Sequence, residues 1–259
     1  RLLVGGIVGY SYSSGTIQNC INETDAVITI AAVSAANTYS ATNYIAVGGI
    51  CGYARGVDSG VAGLIDNCTN KANLSLNGSS KKGYYLGGAI GLSEMYLEEL
   101  YNNGSVTYAG KAVTGFYIGG VVGAHKEWDA KTLRNTGEIT YQGELSTGAA
   151  HAKGITVAAT PSIGGAIGCL GADGADIHTV DDLQNNASIV LLPGNGTSKS
   201  DSYAFGGVIG VSTNFCIKNA KFLKKDGVAP SINITTYPFA RGTGAAGTNA
   251  TQNIAGVVA

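Results

Sequence analysis

A right-handed parallel β-helix, all-β and about six to seven coils long, is the fold this sequence predicts, on three observations. A six-residue pattern of an apolar residue, Gly-Gly, two small or branched apolar residues and Gly recurs along the chain, first as Val4-Gly5-Gly6-Ile7-Val8-Gly9. Successive Gly-Gly pairs lie 43, 39, 32, 45 and 42 residues apart, a period that marks a solenoid, a propeller or an array. Forty glycines stand against four prolines and one methionine, and the other apolar residues lean to Val and Ile, which disfavours helix and suits strands.

The later copies are Val47–Gly52, Leu86–Gly91, Ile118–Gly123, Ile163–Gly168 and Phe205–Gly210, with a weak seventh at Ile254–Val258. Before each Gly-Gly the residues alternate with period two, as in Tyr84, Tyr85 and Leu86, so each copy reads as a strand entering a tight bend. Glycine lets the backbone turn there, or approach a neighbour more closely than a side chain would allow. By that alternation Tyr85 and Tyr117, in neighbouring repeats, are expected outside, stacked on one another.

A second motif follows each first one: Ile17-Gln18-Asn19-Cys20-Ile21-Asn22, Leu64–Asn70, Leu100–Val106, Leu133–Ile139 and Leu183–Ile189, with a degraded copy at Ile217-Lys218-Asn219. Its Leu or Ile points to a core and its Asn to a corner, since Asn tolerates left-handed backbone and bonds its own turn. Stacked from coil to coil, such Asn residues are expected to form a polar ladder. Repeats therefore fall near 1–43, 44–82, 83–114, 115–159, 160–201 and 202–259, in one array read as a fragment of a longer chain. A propeller fits poorly, because one repeat spans only 32 residues and no Trp-Asp signature appears.

The two motifs together resemble GLUG-type repeats of bacterial surface proteins, especially from Bacteroidetes-like organisms. The likeness covers nearly the whole chain and departs at Asn185-Asn186-Ala187, where Ala replaces Gly, and in the Lys-rich stretch from Lys218 to Gly227. It implies a secreted or cell-surface β-solenoid serving adhesion, binding or spacing, with flanking domains in the same protein and no shared catalytic residues.

Charge and composition narrow the partners. Sixteen basic and seventeen acidic residues leave a net charge of −1, with no basic cluster to neutralise a phosphate backbone, so nucleic acid is not expected. The longest apolar stretch, Ala26 to Ala36, falls short of the roughly 20 residues of a membrane span. Five cysteines with no CxxC pair support neither zinc nor a disulfide framework; they read as small core fillers, with a Cys20–Cys68 bridge as the alternative. Six Gly-Gly copies also rule out a dinucleotide loop, which is needed once, before a helix. Asn-x-Ser/Thr triplets such as Asn73-Leu74-Ser75 follow from the Asn-rich composition.

Chemistry is concentrated in the segments after the first strand of repeats three to five: Glu94, Tyr96, Glu98 and Glu99; then His125, Lys126, Glu127, Trp128 and Asp129; then Asp173, Asp176, His178, Asp181 and Asp182. Equivalent loops of a solenoid lie side by side, so one flank gathers the only Trp and two of the three His. Tyr96 and Trp128 suit stacking on sugar rings, while Asp129, Asp173 and Asp176 suit hydroxyls or a Ca²⁺ ion, with His125 beside them. The plain reading of the flank is a solvated acidic face. The functional reading is a non-catalytic carbohydrate- or protein-binding site; the alternatives are a polysaccharide lyase or glycoside hydrolase on the same flank, and a spacer.

Overall fold

The computed structural model describes residues 1–12, 14–31, 44–56, 62–77, 83–110, 116–142, 162–171, 176–192, 202–224, 226–234 and 251–256. It is all-β, and every strand pair is parallel. Each coil contributes one strand in turn to four sheets. Sheet A holds Leu2–Gly5, Tyr44–Gly48, Gly83–Gly87, Phe116–Gly119, Ser162–Gly164, Ser202–Gly206 and Thr251–Ala255. Sheet B holds Val8–Tyr12, Cys51–Arg55, Ile90–Ser93, Val122–Lys126, Ile167–Gly171 and Ile209–Thr213.

Sheet C runs from Thr16–Gln18 through Leu64–Asn70, Tyr96–Asn102, Ala130–Asn135 and His178–Asn185 to Phe215–Lys218. Sheet D runs from Val27–Ile30 through Asn73–Leu76, Val106–Tyr108, Ile139–Tyr141 and Ile189–Leu191 to Ile232–Ile234. Equivalent positions of the two motifs pair directly, as Leu86 with Ile118 and Leu100 with Leu133. The parallel β-helix expected from the repeats is therefore the observed architecture.

The cross-section is folded rather than hollow. Ile45, Val47, Leu86 and Ile118 of sheet A pack with Leu74, Val106 and Ile139 of sheet D. The other face of sheet A, with Tyr44, Ala46, Tyr85 and Tyr117, packs on Tyr53, Leu92, Ala124 and Cys169 of sheet B. The remaining face of sheet B meets Ile65, Cys68, Leu100 and Leu133 of sheet C. The A–B arch thus nests inside a C–D arch, and its strands are buried on both faces, whereas sheets C and D alternate between core and solvent.

Burial on both faces corrects the expectation for Tyr85 and Tyr117. They do stack, with ring centroids 5.8 Å apart, but inside the A–B interface at 1% and 2% exposure. The last Gly of each motif is what lets the two sheets meet there. A Cβ on Gly123 would stand 2.5 Å from the Gly91 carbonyl oxygen and 2.7 Å from the Leu86 nitrogen, distances no side chain tolerates. That Gly is skipped in the rungs, Ile90 pairing with Val122 and Leu92 with Ala124, so the alternation is interrupted at it.

The Gly-Gly bend points at the corner between sheets C and D, where the Asn residues stack. Asn22, Asn70, Asn102, Asn135 and Asn185 are buried, and each Nδ2 donates to the Oδ1 of the next at 2.8–3.0 Å. From Asn70 onward each Nδ2 also donates to the carbonyl two residues ahead, and the column ends where Phe222 pairs with Asn185. The polar ladder expected from the second motif is present, as a core element. All five cysteines are free, with Cys51, Cys68 and Cys169 buried, and burial pushes the Cys51 thiol up to about 12. Small core filling, rather than a Cys20–Cys68 bridge, describes them. Among the described residues no helix is long and apolar enough to cross a membrane.

Candidate functional site

The opposite edge, where sheet B hands over to sheet C, varies from coil to coil. In coil four three residues make the turn: Glu127 and Trp128, both left-handed with φ of 56° and 65°, and Asp129. Two consecutive left-handed residues without glycine need support from outside. The Trp128 carbonyl accepts a hydrogen bond from His125 Nε2 at 3.0 Å, and the Glu127 N–H donates to the Gly171 carbonyl at 3.3 Å. Asp129 accepts the Thr179 N–H on Oδ1 at 2.7 Å, while its carbonyl accepts the Leu97 N–H at 3.2 Å. The turn is thereby tied to the coils on both sides.

Held this way, Trp128 stands in a row of rings drawn from successive coils. Its centroid is 5.0 Å from that of Tyr96 and 6.4 Å from that of His178, and His178 lies 5.8 Å from Phe215. Tyr96 is 39% exposed; Trp128, His178 and Phe215 are half-buried. At the coil-one end of sheet B, Tyr10 and Tyr12 stack at 6.3 Å, and the Arg55 guanidinium lies 5.0 Å above the Tyr12 ring. Gly56 joins the two stretches, since a Cβ there would lie 3.6 Å from Trp128 Nε1.

Three carboxylates near the row have partners. Glu94 faces Arg55 at 3.8 Å, Glu127 faces Lys126 at 3.2 Å, and Asp129 is occupied by Thr179. Burial, and then the charge of Glu94, push the Tyr53 hydroxyl far up, so it stays protonated. His125 is fully buried, and that burial lowers its pKa to about 4, leaving a neutral ring at ordinary pH. With Nε2 donating to Trp128, its Nδ1 is an acceptor without a partner among the described residues.

Of the residues singled out in the sequence, Tyr96, Trp128 and Asp129 come together at this edge. His125 does not reach it: the side chain lies behind the turn, 5.9 Å from Phe215, because its strand position faces the core beside Ser93 and Leu170. It is a support of the site, not a surface ligand. Asp176 is exposed just before His178, and Asp173 lies outside the described residues. Among the described residues no group of three or more His, Cys, Asp or Glu could hold a metal ion.

Glu98, Asp181 and Asp182 belong instead to the outer face of sheet C. Glu98 stands 4.0 Å from Lys131, Asp181 accepts from Asn219 at 2.8 Å, and Asp182 forms an ion pair with Arg134 that holds its carboxyl below the usual range. Phe215 escaped the sequence reading because the sixth repeat is degraded there; its signal is the position opposite His178. Neither a family model, nor a curated protein, nor a solved structure matches the chain.

Proposed function

We propose that this chain is a non-catalytic binding module for carbohydrate, with its site along the B–C edge. The observation that carries the reading is the row Tyr96, Trp128, His178 and Phe215, rings of successive coils at steps of 5.0, 6.4 and 5.8 Å, each tilted to the next by 57°, 45° and 44°. Aromatic rings pack against the apolar faces of sugars, and neighbouring carboxylates and carbonyls accept their hydroxyls. The partners of Glu94, Glu127 and Asp129 favour binding over the lyase or hydrolase reading at these three carboxylates, since that reading needs one carboxyl free to move a proton. Membership of the GLUG-type repeats, and with it exposure on a bacterial cell surface, is proposed on the repeat pattern.

The test is retention on a panel of host and plant polysaccharides, with and without Ca²⁺, while newly released reducing ends or unsaturated products are assayed. Retention without products, lost in Trp128→Ala, is expected. Products would transfer the site to the enzyme reading, and absence of retention would leave a protein partner or a spacer.

A further inference from the structure

Resting on that carbohydrate reading, we infer that the ligand is an uncharged polysaccharide chain laid along the solenoid axis, one sugar per coil, on Tyr96, Trp128, His178 and Phe215. Direction comes from the register. Leu97 pairs with Ala130, Ala130 with Val180 and His178 with Phe215, so Trp128, in the turn before its strand, is level with His178 and Phe215, Tyr96 stands one residue further on, and the row crosses the strands. Adjacent strands are about 4.8 Å apart. The ring steps of 5.0, 6.4 and 5.8 Å exceed that spacing, by up to about a third, and are of the size of one pyranose ring with its glycosidic oxygen.

Charge comes from the connectors. The described residues that join sheet B to sheet C include Glu94, Glu127, Asp129 and Asp176 and no Lys or Arg. The two basic residues at strand ends, Arg55 and Lys126, are neutralised by Glu94 and Glu127. A polyuronate or sulfated chain would run its anions along this acidic edge, whereas a neutral chain offers hydroxyl donors to the same oxygens. Hydrophobic stacking with hydroxyl recognition is thus left as the mode of binding, with no basic clamp for carboxylate or sulfate.

The experiment measures affinities of neutral linear glucan, mannan and xylan oligosaccharides of increasing length, with polygalacturonate and alginate as anionic probes. Affinity for the preferred neutral series should rise about fivefold per added sugar up to four units and then level off. Tyr96→Ala, which removes the exposed end of the row, should move that plateau to three units with the melting temperature retained. Polygalacturonate should neither bind nor compete. Affinity independent of length, or polyuronates binding as well as neutral chains, would overturn the inference and leave carbohydrate binding standing. Failure of the wild-type chain to bind any glycan would overturn both.

Discussion

Two columns run across the coils of this molecule, and they are built on opposite rules. At the C–D corner the same residue recurs, Asn22, Asn70, Asn102, Asn135 and Asn185, buried and bonded in an unbroken series. At the B–C edge neighbouring places are filled by different residues, among them Tyr96, Trp128, His178 and Phe215, partly open to solvent. Identity from coil to coil follows where each coil must satisfy the next, because a buried amide without its partner costs about 1–3 kcal/mol. Variety follows where the neighbour is solvent or a ligand. In a repeat protein of this kind, the repeated residues report the fold and the unrepeated ones mark the candidate site.

Removing one rung is the strongest way to test that division. Asn135 donates to Asn185 Oδ1 and the Gly137 carbonyl, and accepts from Asn102 Nδ2 and the Gly137 N–H. Asn135→Ala should cost roughly 4 kcal/mol, since it strands several buried polar groups at once. Urea unfolding measures it, and a loss below about 1 kcal/mol would show that the column is dispensable.

A smaller effect comes from the support behind the edge. The His125 pKa lies at about 4 in the folded chain, against an ordinary value near 6.5. Above about pH 6.5 the ring is neutral in both states and its contribution is complete. As pH falls from there toward 4 the unfolded chain takes a proton that the folded chain refuses, so stability drops by up to about 3 kcal/mol. Wild type should lose that much more than His125→Leu over the interval. Parallel pH profiles of the two would refute the assignment.

The smallest effect sharpens the contrast within sheet C. Asn19, Asn67, Glu99, Thr132, Asp182 and Asn219 hold one left-handed place in six successive coils, with φ between 46° and 56°. Asn accepts that conformation and β-branched Thr resists it. Thr132→Asn should raise stability by about 1 kcal/mol in thermal unfolding, even after loss of the 3.4 Å contact from Thr132 to Asp182. An unchanged or lowered midpoint would mean that this contact outweighs the backbone strain.

Much of the fold was legible because its determinants are local and periodic: Gly-Gly bends, alternating apolar residues and a corner Asn. What periodicity conceals is which face of a strand meets which sheet. Tyr85 and Tyr117 alternate correctly with Leu86 and Ile118, yet both sides of sheet A are covered. The clue was available in near-continuous apolar runs such as Tyr44-Ile45-Ala46-Val47, the mark of a strand buried on both faces. At the edge, Tyr96 and Trp128 were found by residue type, whereas the inward direction of His125 depends on an alternation interrupted by the preceding Gly123. Phe215 needed the pairing of strands to be seen.

The amide column has a further property: its rungs carry no address. Asn102 gives its proton toward the C-terminal coils and Asn185 receives one from the N-terminal side, in the same manner as Asn135 between them. Excision of the whole coil that holds Asn135 would bring Asn102 against Asn185 with no donor or acceptor stranded. The same excision would bring Tyr96 against His178 and delete Trp128 from between them. Such a chain can gain or lose coils at little cost to its architecture, and every such edit respells the message along its edge.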